Sequence, residues 1–196
     1  MRLGLVVNIL IRLSIFYFLG EVLFNPDDPR FAGKAIPIRN LIIVISLSLL
    51  FPILYFWKKK WKKWFDYFDY AQYKSAHHKY PFWWDNLYLS IFWLDMAGNS
   101  FNLYDTYFYF DLIPHFHSTA ALSAVLLGAF GFSFWSGVGF ANIVHMLLEA
   151  QEYYTDVFLG THNVRGTFDV VNDLLVGVLG TLLYGLIYIT FVKRKK

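Results

Sequence analysis

Six carboxylates stand inside otherwise apolar stretches of this chain, and each lies three or four residues from another polar group. Asp95 precedes Asn99, Asp111 precedes His115, His145 precedes Glu149 and Glu152, and Asp169 precedes Asp173, with Asp156 following Glu152 by four. On a helix those intervals stack each set on one face. Buried ionisable groups cost about 2.5 to 3.5 kcal/mol each in the middle of a membrane helix, so each needs a compensating partner. Six anions facing two imidazoles do not stay ionised together without protons or a metal ion. Imidazole with carboxylate suits zinc, iron or manganese, and a carboxylate-only subset suits magnesium or calcium. The candidate ligands are Asp111, His115, Glu149, Glu152, Asp169 and Asp173, with Asp95, His145 and Glu152 as candidates for proton transfer. The cofactor is a divalent metal ion, with zinc, iron, manganese and magnesium not distinguished by the sequence.

The elements that carry these residues follow from composition. The chain has 196 residues, 57% hydrophobic and 16% charged, with no cysteine and 21% aromatic residues. A soluble core of one domain cannot hide that much apolar surface, so the bilayer is the expected solvent. A disulfide scaffold, a thiolate metal site and a disordered chain are excluded. A hydrocarbon core of about 30 Å needs roughly 20 apolar residues per helix. The sequence predicts an all-α polytopic membrane bundle, a single domain over 1–196. Its six spans run Leu3 to Phe24, Asn40 to Trp57, Phe82 to Leu103, Leu112 to Gly131, Phe134 to Phe158 and Phe168 to Val192. The first is read as a retained span and not as a cleaved signal.

Eleven of the seventeen basic residues fall between the second and third spans or in the tail from Lys193. The positive-inside rule makes both segments cytoplasmic, which puts both termini inside a multi-pass protein of the plasma or inner membrane. The turn at Phe132 and Ser133 makes the fourth and fifth spans a tight hairpin. Residues 58–80 interleave Trp61, Trp64, Phe65 and Phe68 with lysines, the pattern of an amphipathic helix in the cytoplasmic headgroup layer. Membrane lipid is the expected partner and nucleic acid is not; oligomeric state is not legible. With that orientation, Asp95, Asp111, His115, Glu149, Glu152, Asp169 and Asp173 share one depth near the external face, with His145 deeper.

His117 lies about 200° round the helix from His115 and falls outside the set. His162 and Arg165 read as loop residues, the functional alternative being capture of an anionic headgroup. Arg12, inside the first span, either snorkels or pairs with a neighbouring carboxylate.

The strings FDLIPHFHS, HMLLEAQEYY and FLGTHNVRGTFDVVNDLLVGVLG resemble the YjdF-like family of uncharacterised multi-span inner membrane proteins. Asp111, His115 and Phe116 match its Tyr-Asp-x-x-x-His-Phe segment, and Glu149 and Glu152 its Glu-x-x-Glu helix. Phe158, Leu159, Gly160, Thr161, Asp169 and Asp173 match its Phe-Leu-Gly-Thr loop and paired aspartates, and LDMAGNS is similar to its His-Thr-x-Gly stretch at Gly98. The resemblance covers roughly residues 85 to 185. The loop departs from the family's Gln-Gly-Asp-x-Trp, carrying His162, Asn163, Val164, Arg165 and Gly166 instead. The resemblance implies a multi-helix membrane protein whose polar positions form one site.

Three functions fit these residues. A metal-dependent enzyme acting on a lipidic substrate, by hydrolysis or group transfer, uses the cluster as a Lewis-acid centre. An ion or proton translocator uses it as part of a path, which Thr119, Ser123, Asn142 and Thr181 would have to continue. A structural subunit uses it only to set helix packing.

Overall fold

The structure, a computed structural model, describes residues 2–31, 34, 41, 46–65 and 80–192. Among these there is no strand. The helices are α1 (Arg2–Phe24), α2 (Leu50–Phe65), α3 (Phe82–Ser100), the single turn α4 (Leu103–Thr106), α5 (Leu112–Val125), α6 (Phe134–Leu159) and α7 (Thr167–Ile187). Wider π-turns extend α5 through Leu126–Phe130 and α7 through Tyr188–Val192.

Three helical stretches are long and apolar enough to cross a membrane: Leu3–Phe24, Leu112–Phe130 and Thr167–Val192. Helices α3 and α6 have the length, about 28 and 39 Å at 1.5 Å per residue. Their apolarity is broken by the polar residues of interest, Asp85, Asn86, Asp95 and Asn99 on α3 and His145, Glu149, Glu152 and Asp156 on α6. The expected span from Asn40 to Trp57 lies partly outside the described residues; Ser46–Lys58 is a shorter apolar helix. From the interfacial segment, residues 58–65 continue α2 without a break, and 66–79 with His77 and His78 lie outside the described residues, as do Lys193 to Lys196.

Buried polar side chains sit beside an apolar core, and many large apolar side chains face outward. Asn8, Asp85, Asn99, Thr119, Ser123, His145, Glu149, Asp173 and Thr181 are buried, while Leu13, Phe16, Leu147, Leu179 and Phe168 are exposed. Apolar surface that continuous suits contact with lipid.

Helix α5 is central, packing on α3, α6 and α7. It turns into α6 through Gly131, whose φ of 78° is the left-handed conformation that glycine adopts without strain. Ser133 then caps α6 by accepting a hydrogen bond from the Ser136 N–H at 3.3 Å. The two helices form an antiparallel hairpin, with Gly137 of α6 against Leu127. Helix α7 runs back along α6, since Asn142 donates to Thr181 and Phe134 sits over Gly185. Against α5 it packs closely because Gly180 leaves room for the Phe116 carbonyl, where a Cβ would clash.

Helix α1 lies parallel to α3. Ile15, Phe18, Leu19, Leu89, Met96 and Ala97 form their shared core. At the start of that seam Asn8 and Arg12 meet Asp85 and Asn86. Phe51 anchors α2 by packing on Tyr55, Tyr80, Tyr88 and Phe130. This topology gathers the C-terminal ends of α3 and α6 with the N-terminal ends of α5 and α7.

Candidate metal centre

Helix α5 begins at Leu112, and Pro114 falls in its first turn, where a missing N–H costs nothing. His115 is one turn from Asp111, and its Nε2 lies 3.3 Å from Asp111 Oδ1. Its other nitrogen faces α6. There His145 and Glu149, one turn apart, bring two ligand atoms onto it. His115 Nδ1 is 2.9 Å from His145 Nε2 and 3.0 Å from Glu149 Oε1, and His145 Nε2 is 3.2 Å from Glu149 Oε1.

Three donor atoms in a triangle of 2.9, 3.0 and 3.2 Å admit a simple geometric test. Ligands about 2.1 Å from a metal stand about 3.0 Å apart at cis positions of an octahedron and about 3.4 Å apart in a tetrahedron. The triangle has the size of a coordination face. Two imidazoles and one carboxylate on such a face leave the remaining positions open. A hydrogen bond between the two imidazoles needs one nitrogen protonated and the other bare, and Glu149 Oε1, 3.0 and 3.2 Å from the same nitrogens, has to share that single proton. The residues therefore fit a metal ion.

A second group, Asp111, His115 and Asp173, also brings its ligand atoms within 4.8 Å of one another. Asp173 comes from α7, is 3% exposed, and has an Oδ1 without a hydrogen-bond partner. The position of the His145 ring depends on Gly177 of α7. A Cβ there would strike His145 Nδ1 and Cε1 and stand 3.2 Å from Thr119 Oγ1. Thr119 itself donates to the His115 carbonyl at 2.8 Å, steadying the turn that carries the ligand.

The centre opens into a cavity of about 220 Å³ between α3, α5 and α6. Asp95, Asp111, His115, His145 and Glu152 line it on the polar side, and Ile91, Phe92, Met96, Leu148 and Leu47 give it an apolar wall. Its mouth holds Lys34, His162, Asn163 and Arg165. Asp95 accepts a hydrogen bond from Tyr104 at 2.9 Å. Glu152 is half-buried on the cavity wall, in neither metal-binding group. Asp169 is in neither group; its carboxylate accepts the Arg165 backbone N–H at 3.0 Å, at the entry to α7. Asp156 holds the loop after α6, accepting from Thr161, the Asn163 amide and backbone, and the Val164 N–H.

His117 turns away from the cavity, 2.8 Å from Ser90 Oγ and 3.3 Å from the Tyr184 hydroxyl. Arg165 fixes the mouth by donating to the carbonyls of Tyr104 and Phe108. Two features of this end carry no signal in the sequence. Lys34 pairs with Asp105 at 2.9 Å across 71 residues, and Tyr104 reaches back to Asp95 over a turn of irregular length. Comparison with protein-family models, with known proteins and with solved structures gave no match, so the site is read from its own geometry.

Proposed function

We propose that the protein is a metal-dependent membrane enzyme acting on a lipidic substrate by hydrolysis or group transfer. The observation that carries this reading is the triangle of His115 Nδ1, His145 Nε2 and Glu149 Oε1 beside a cavity that both histidines line and that has an apolar wall. These three residues hold the ion. Asp111 accepts the opposite N–H of His115, which orients the ring and raises its basicity. A bound divalent ion brings the pKa of a coordinated water to about 7 and polarises an ester or phosphoryl oxygen. Asp95 and Glu152, on the cavity walls, accept and return the proton. Leu47, Ile91, Phe92, Met96 and Leu148 receive the apolar part of the substrate, and the cationic mouth admits its polar end.

The same reading includes six spans, the lysine-rich stretch from Lys58 lying at the cytoplasmic headgroups, both termini inside, and the metal centre near the external face of the plasma or inner membrane. The likeness to the YjdF-like family belongs to it as well. A translocation path finds less support. Asn142 and Thr181 continue the polar line below the centre with a 3.0 Å hydrogen bond, but Phe134 packs over Gly185 one turn further on.

Metal analysis tests the proposal directly. Purified wild-type protein reloaded with zinc or manganese is expected to retain metal through desalting, and Glu149→Ala is expected to lose it. Wild-type protein that emerges empty would sink the reading.

A further inference from the structure

One ion in the triangle leaves Asp173 unexplained. That carboxylate is 3% exposed, sits within an apolar helix, and keeps an Oδ1 that no donor reaches. Its ligand atom nonetheless lies within 4.8 Å of those of Asp111 and His115. His115 serves both groups through different atoms, with Nδ1 in the triangle and Nε2 beside Asp111 Oδ1.

Charge argues in the same direction. Asp111, Glu149 and Asp173 surround His115, giving three carboxylates at the two groups. A single divalent cation meets two of these three charges. Desolvated carboxylates at this density need more than that.

We propose that the centre takes two divalent cations, the second held by Asp111, Asp173 and Nε2 of His115. The proposal rests on the reading that the first sits in the His115, His145 and Glu149 triangle. His115 then bridges the pair through its two ring nitrogens, and the ring proton passes to solvent as the second ion binds. Because the imidazole stands between them, the ions lie further apart than the roughly 3.5–4 Å of oxygen-bridged pairs. The substrate class narrows accordingly. A pair of cations on one cavity clamps a group with several anionic oxygens, which favours a phosphate ester over a carboxylic ester.

The test is a count of zinc per chain. Full-length protein in detergent micelles is stripped with a chelator, reloaded with zinc alone and desalted, and the metal-to-protein ratio is measured beside a circular dichroism spectrum. The expected result is two zinc ions in the wild type and one in each of Asp173→Asn and Asp111→Asn, both near-isosteric changes. One zinc in the wild type overturns the second seat and leaves the triangle standing. Two in the wild type and still two in both variants overturns the assignment to Asp111 and Asp173. No zinc in the wild type overturns the triangle, and the second seat with it.

Discussion

Helix α3 carries a buried carboxylate cluster near each end, and the two are built on opposite principles. At its start, Asp85 Oδ2 accepts from Asn8 at 2.9 Å, from Arg12 at 2.9 Å and from Tyr80 at 2.8 Å. Asn8 also donates to Asn86, whose own amide donates to the Gly4 carbonyl. One cation meets one anion, and the neutral donors converge on the same carboxylate oxygen, leaving Asp85 Oδ1 without a hydrogen bond. At the other end, three carboxylates, Asp111, Glu149 and Asp173, crowd His115, and the buried His145 Nδ1 and Asp173 Oδ1 make no hydrogen bond. A balanced cluster holds helices together. An unbalanced one of this kind calls for a ligand.

The largest expected effect breaks the balanced cluster. Asp85→Leu strands Arg12 between α1 and α3, where the guanidinium is 25% exposed and Asp85 supplies its carboxylate. Removing one partner of a buried pair costs about 3–5 kcal/mol, whereas replacing both with apolar residues is often neutral. Arg12→Met combined with Asp85→Leu is therefore expected to recover stability to within about 1 kcal/mol, read as the midpoint of denaturation in mixed micelles. Both proteins should still bind zinc. A double variant that is as unstable as the single one, or that binds no metal, would merge the two clusters into one functional unit.

Next in size is loss of a donor from the unbalanced cluster. His145→Ala removes one corner of the triangle and leaves the carboxylates facing each other. Zinc affinity is expected to fall by about 100-fold or more, since even outer partners of metal ligands are worth 10–100-fold. A smaller and more selective effect comes from Gly177→Ala. The added methyl collides with the His145 ring while every ligand keeps its identity. Zinc affinity should drop by roughly 10–100-fold through displacement of the ring, with a stability loss of about 1–3 kcal/mol from overpacking. Serine at the same position should behave alike, and isothermal titration with zinc measures both.

What the sequence made legible was whatever repeats at helical spacing. Asp111 with His115, and His145 with Glu149, share faces because four residues nearly complete a turn, whatever packs against them. The hairpin at Phe132 and Ser133 was equally local. Contacts set by tertiary packing were not. Glu149 and Glu152 look equivalent in sequence, yet the first is 4% exposed in the triangle and the second stands half-buried on the cavity wall. Arg12 finds Asp85 across 73 residues, a pairing that depends on α1 running parallel to α3. The apolarity of α3 and α6 is low because the site residues are on them, so hydropathy weakens at the helices that matter most.

Asp169 sharpens the comparison with the smallest effect. It shares a helix row with Asp173, and by spacing the two are interchangeable. Asp169, however, lies in the first turn of α7, where four backbone N–H groups lack helical acceptors and compete for a nearby carboxylate. The Arg165 N–H takes it at 3.0 Å, and the carboxylate also favours the positive end of the helix dipole. Asp173, one turn further in, has no free N–H within reach and faces Asp111 and His115 instead. Asp169→Asn keeps an oxygen acceptor and loses a charge at a helix start, a change worth about 0.3–1 kcal/mol. Its zinc content is expected to equal that of the wild type, whereas Asp173→Asn loses an equivalent. Equal metal loss in the two variants would place both aspartates at the centre and return the row to the symmetry of its sequence.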